Sequence, residues 1–127
     1  MHALDTMRAL ASKSEVLSLN SGDVLFNTGD SGSTMYGIVE GSIRLSWVDA
    51  AGNQGHEDIP VGHLFGAGAL VMGDHQRLGT ATALENCRLI EMTREKFLFA
   101  VQEAPMFAIE LLASIDERLR DIKMGAS

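Results

Sequence analysis

The chain has 127 residues, 46% hydrophobic and 21% charged, which suits one folded domain with a modest core. Ten basic against seventeen acidic side chains give a formal charge of −7, and an acidic surface works against a nucleic-acid backbone as direct partner. The single cysteine, Cys87, excludes an intrachain disulfide. No run approaches the roughly 18 apolar residues of a membrane span, and Met1-His2-Ala3-Leu4-Asp5 lacks the basic and apolar regions of a secretion signal, so a cytoplasmic protein is expected.

Leu4, Met7, Leu10 and Ala11 recur at three- and four-residue spacing and predict a short helix over residues 4–12. The pattern then changes to short β-prone runs: Val16–Leu19, Val24–Phe26, Thr34–Val39 and Ser42–Asp49, the last with Ile43, Leu45 and Trp47 on one face. Asn20-Ser21-Gly22-Asp23, Thr28 to Ser33, Glu40-Gly41 and Ala50 to Gly55 are turn signals between them. His56–Ile59 is a short strand before Pro60. Leu78–Leu84 and Cys87–Met92 follow, split by Glu85-Asn86. Short strands at this spacing argue for an antiparallel barrel or sandwich, here over residues 15–92.

After Met92 the period returns to that of a helix. Thr93 is an N-cap for a helix through Gln102, with Phe97, Leu98 and Val101 on its apolar face. A last helix, Pro105–Lys123, completes a helical end over residues 94–123. It carries Ala108, Leu112, Ile115, Leu119 and Ile122 at coiled-coil-like spacing. Phe107 and Leu111 widen that seam. Asp116, Glu117, Arg118, Arg120 and Asp121 read as its wet face, and Gly125-Ala126-Ser127 as a frayed end.

The most informative stretch is Phe65 to Ala83, FGAGALVMGDHQRLGTATA. Gly66, Ala67, Gly68 and Ala69 let a ligand approach the backbone closely. A helical turn over residues 68–72 would point free N–H groups outwards, and Arg77 adds a planar, permanently charged donor. Small loop, helix start and arginine together describe a pocket for one phosphate group.

This cassette resembles the phosphate-binding cassette of the cyclic-nucleotide-binding domain family, which includes the catabolite-activator-type regulators. Phe65, Gly66, Ala69, Leu70 and Arg77 fall on the family pattern. Ala67 stands where the family has glutamate, Leu78 where it has a small or hydroxyl residue, and Gly79 where it has alanine. The stretch Leu25 to Gly41 follows a second signature, L-F-x-x-G-D-x-G-x-x-M-Y-x-I-x-x-G, with Gly37 where a bulky apolar residue is usual.

The resemblance implies a mainly β fold with flanking helices, a double-stranded β-helix or jelly-roll-like barrel, in one domain spanning residues 1–127. It assigns a phosphate to Arg77 and to the backbone of Gly66, Gly68 and Ala69, with Ala67, Leu78, Gly79 and Thr80 beside it and the last helix closing over the base. It implies a homodimer through Leu112, Ile115, Leu119 and Ile122. A cyclic nucleotide is the ligand it suggests, with no other cofactor. Such regulators carry a helix-turn-helix domain after the long helix. None is expected here, so a signal to DNA would be expected to pass through a separate effector protein.

Nothing argues for an enzyme. His2, His56, His63 and His75 show no H-x-H or E-x-x-H spacing, so no metal site is expected, and no Walker loop or nucleophile elbow is present. Two readings remain open. One is a stand-alone sensor of a cyclic nucleotide or another phosphate-bearing ligand. The other is a degenerate barrel acting as a dimerisation or partner-docking module. Position 67 separates them, because the family glutamate accepts from the ribose 2′-hydroxyl and Ala67 accepts nothing; Asp74 and His75 are the loop residues that could substitute.

Overall fold

The computed structural model describes residues 2–11, 15–71 and 73–123. Helix α1 (His2–Leu10) precedes eight short strands. These are β1 (Val16–Leu19), β2 (Val24–Phe26), β3 (Thr34–Glu40), β4 (Ile43–Val48), β5 (Gln54–Ile59), β6 (Leu64–Phe65), β7 (Thr80–Ala83) and β8 (Cys87–Thr93). The one-turn α2 (Gly68–Val71) lies between β6 and β7, and α3 (Arg94–Glu103) and α4 (Pro105–Lys123) close the chain. The proposed helix end at Ser12, the turn end at Met72 and the tail Gly125-Ala126-Ser127 lie outside the described residues.

All strand pairs are antiparallel and form two sheets of four, ordered β1-β8-β3-β6 and β2-β7-β4-β5. The first sheet is covered on both faces. Tyr36, Ile38, Phe65, Cys87 and Leu89 point between the sheets, while Met35, Leu64, Ile90 and Met92 point out against α1, α3 and α4. This explains the near-continuous apolar runs of β3 and β8. The second sheet has one wet face, so β4 and β7 alternate. Ile43, Leu45, Ala81 and Ala83 face in, and Arg44 on β4 makes a bidentate pair with Asp58 of β5 on the outside.

Two elements extend beyond their sequence signals. Strand β5 begins at Gln54, because Gln54 and Gly55 pair with Val48 and Trp47 and are not turn residues. Strand β6 is two residues long, pairing Leu64 and Phe65 with Gly37 and Tyr36, too short to leave a period. Thr93 caps α3 by accepting from the Lys96 N–H, as the sequence indicates.

Gly37, the exception in the first signature, has a packing reason. It sits on the outer face of β3 under α1, and a Cβ there would lie 2.5 Å from Leu4 Cδ1 and 2.9 Å from Leu64 Cδ2. The missing side chain lets Ala3, Leu4 and Met7 of α1 bury completely against the sheet.

Helix α4 splits the seam expected of it. Phe107, Leu111 and Ser114 are buried and Ile115 packs on the same cluster, so the barrel takes this stripe. Arg118 continues the stripe one turn on and is not on the wet face. It donates to the Leu64 carbonyl and lies 3.5 Å from Glu57. His63 Nδ1 and Ser114 Oγ, 2.9 Å apart, add a further tie. Leu112 (65% exposed), Leu119 and Ile122 face outwards. No single described helix is long and apolar enough to cross a membrane.

Replacing Gly37 with leucine should force α1 off β3. Overpacking of this kind costs about 1–3 kcal/mol, so the urea midpoint of Gly37→Leu should fall. An unchanged midpoint would refute the packing role.

Candidate ligand-binding site

The turn after β2 and the segment before β7 are zipped together by backbone. Gly29 N–H donates to the Arg77 carbonyl, Arg77 N–H to that of Asp30, and Gly32 N–H to that of His75, each at 2.8 Å. The turn is shaped by Asp30, whose Oδ2 accepts the Asn27 N–H at 2.9 Å. The two signature stretches, separated in sequence by residues 42–64, are therefore one structural unit.

Arg77 is the centre of that unit. It is 5% exposed, and its guanidinium lies 4.2 Å from the centroid of the Phe26 ring and 5.7 Å from that of Tyr36. Nη1 donates to the Gly66 carbonyl at 2.9 Å, and Nη2 to the Thr34 carbonyl at 2.7 Å. Two glycines make the slot. A Cβ on Gly32 would lie 2.4 Å from Nε, and one on Gly66 would lie 2.9 Å from Nη1. Gly66 also has φ +84°, which other residues rarely adopt. Tyr36 and Phe65 stack at 5.4 Å and, with Phe26, form an aromatic floor.

Among the described residues no carboxylate lies within ion-pair distance of this guanidinium. Burial pushes the Arg77 pKa down, while Tyr36, Glu91 and Asp30 pull it up. The group stays protonated at ordinary pH, so the pocket holds a partly desolvated positive charge that no described carboxylate meets in direct contact.

A pocket of about 450 Å³ opens beside it, lined by Phe26, Leu45, Trp47 and Val48 of the barrel and by the cassette. That volume is within the roughly 300–1,000 Å³ typical of small-molecule sites. Of the residues the sequence singled out, Gly66, Gly68, Ala69, Arg77, Leu78 and Gly79 line it. Ala67 and Thr80 do not. Ala67 packs against the apolar cluster under α1 and α4. Thr80 pairs with Ser46 on the outer face of its sheet, where its hydroxyl meets Thr28 at 3.1 Å. Among the described residues, none of the lining comes from α4. The one turn of α2 is too short to build a helix dipole of consequence, so the positive potential rests on Arg77.

Of the two loop residues, His75 turns its Nδ1 to the Ala69 carbonyl at 2.8 Å, with φ +53°. Asp74 lines the rim, with Oδ1 accepting the Gln76 N–H at 3.2 Å. Trp47 and Gln76 also line the pocket. Sequence reasoning gave neither a ligand role, and the inward alternation of β4 is the signal that marks Trp47. Among the described residues no cluster of three or more His, Cys, Asp or Glu could hold a metal ion. Cys87 is buried, its thiol donating to the Ser42 and Glu85 carbonyls, and burial raises its pKa.

Comparison with known proteins places this geometry. A family model described as the cyclic nucleotide-binding domain matches residues 16–104. The chain is 30% identical over 101 residues to the cyclic AMP receptor protein of Thermus thermophilus, covering 79% of this chain and 46% of that protein. It is 29% identical over 114 residues to lysophospholipase NTE1 of Pyricularia oryzae, covering 85% of this chain but 7% of that protein. The chain thus spans less than half the length of either relative. A solved structure described under a cyclic-GMP-dependent signalling pathway that regulates bacterial phytopathogenesis has TM-score 0.77 and 25% identity, covering 94% of this chain and 93% of the other.

Proposed function

Because the chain belongs to the cyclic nucleotide-binding domain family, we propose that it is a regulatory domain that binds a cyclic nucleotide or another phosphate-bearing ligand in the pocket between the cassette and β4. The observation that carries this reading is Arg77. A buried guanidinium without a carboxylate partner is costly to keep. A ligand phosphate would meet it as a charge-assisted, bidentate partner. Among the described residues the pocket holds no arrangement of nucleophile and base, and the output expected of it is a conformational or docking signal.

The output is expected through α4 and a second copy of the chain. Leu112, Leu119 and Ile122 form an exposed apolar stripe, and such a stripe on a helix calls for a partner. Ile115 contributes less than its spacing suggests, since it packs on its own barrel.

Two measurements test these statements. A panel of cyclic mono- and dinucleotides should include a ligand that raises Tm by several degrees at hundredfold excess over Kd, where linkage gives about 2.7 kcal/mol. The Arg77→Gln variant should lose most of that shift, whatever its own Tm. If no member of the panel shifts the wild-type curve, the docking-module reading replaces this one. In sedimentation the wild type should be a dimer and Leu112→Glu a monomer. Monomers in both cases would remove α4 as the interface.

A further inference from the structure

The register of the second sheet sets the length of the pocket. Phe26 pairs with Ala81 and Ala81 with Leu45, so Phe26 and Leu45 lie two strand spacings apart in one row. Trp47 is the next inward residue along β4. Strand spacing of about 4.8 Å and rise of about 3.3 Å per residue put Phe26 and Trp47 about 12 Å apart at their backbones. Arg77 lies over Phe26. The pocket therefore has a cationic end and an aromatic end, separated by roughly the length of a phosphate, a sugar ring and a base.

Trp47 is held for contact. Its cross-strand partner is Gly55, and a Cβ there would lie 2.6 Å from the indole Nε1 and 2.8 Å from Cε2. The ring lies against bare backbone on that side and is half-buried, lining the pocket. Apart from Gln76 and Asp74, both exposed on the loop, the described lining between the two ends is apolar or glycine: Leu45, Val48, Ala69, Leu78 and Gly79. The nearest carboxylate side chain in the lining is Asp74, which is exposed at the rim and already accepts a backbone N–H. Position 67, where the family reads the sugar, is turned into the apolar cluster.

We infer that this pocket recognises an aromatic ring stacked on Trp47 and an anion on Arg77, and does not read the ribose 2′-hydroxyl between them. The ligand class is then a planar aromatic anion in which ribo and 2′-deoxy forms are equivalent. The inference rests on the proposed ligand-binding role and adds the selectivity of the site.

Calorimetry and tryptophan fluorescence separate the two claims, Trp47 being the chain's one tryptophan. The probes are 3′,5′-cyclic AMP, its 2′-deoxy form, and ribose 5-phosphate as a base-free control. The two cyclic nucleotides should bind with Kd values within about threefold and quench the indole, while ribose phosphate should bind more weakly without quenching. Trp47→Leu should weaken both nucleotides roughly 5- to 150-fold, the range of one base–aromatic stack. Trp47→Phe should recover most of the loss and so excludes misfolding as the cause. Calorimetric binding with a tenfold or greater preference for the ribo form, or with Trp47→Leu as tight as wild type, overturns this inference and leaves the sensor reading intact. Absence of heat with every probe overturns both for nucleotides.

Discussion

A buried guanidinium organises this molecule. Keeping Arg77 at 5% exposure needs acceptors for its donors and room for its plane, and the chain supplies both from distant positions. Thr34 and Gly66 give carbonyls, Phe26 gives a ring face, and Gly32 and Gly66 give space. These residues come from β2, from β3 and the turn before it, and from the cassette. The backbone ladder between Asp30 and Arg77 fixes their relation. The arginine is thus a structural cross-link between the two signature stretches and also the positive wall of a pocket.

Burial on two sides of one sheet links that pocket to the helices. Strand β3 sends Tyr36 inward beneath Arg77 and Met35 outward against α1 and α4, so adjacent residues touch the arginine and the helix side. Arg118 of α4 reaches the carbonyl of Leu64, two residues before Gly66. A shift of the cassette on ligand contact would be felt at this tie and at the His63–Ser114 pair. Rigid elements with few discrete packings carry such coupling.

The strands were legible in the sequence wherever a period existed. Alternation in β4 and glycine turns between short runs were enough to indicate an antiparallel barrel with one helix before it and two after. What was hidden follows from contacts that leave no local pattern. Strand β6 has only Leu64 and Phe65. Arg118 looks like a surface charge until α4 is docked, when it reaches Glu57 and Leu64. Gly37 looks like a defect in a signature and is the clearance for Leu4. In the candidate site, residue type and spacing indicated Arg77 and the small residues around it. No local pattern told which way Ala67 turns out of its irregular loop or which face of β7 Thr80 takes; the one packs on the apolar cluster and the other lies on the outer sheet face.

In this reading Arg77 is a preformed anion receptor held in a slot made by Gly32 and Gly66. The most direct measurement is the Arg77 Nε–H resonance in a ¹H–¹⁵N spectrum, assigned with Arg77→Lys, during titration with 3′,5′-cyclic AMP. The account predicts a slowly exchanging Nε–H in the free protein that shifts saturably with the nucleotide. A resonance already averaged with solvent, or one that stays fixed while calorimetry records binding, would contradict it.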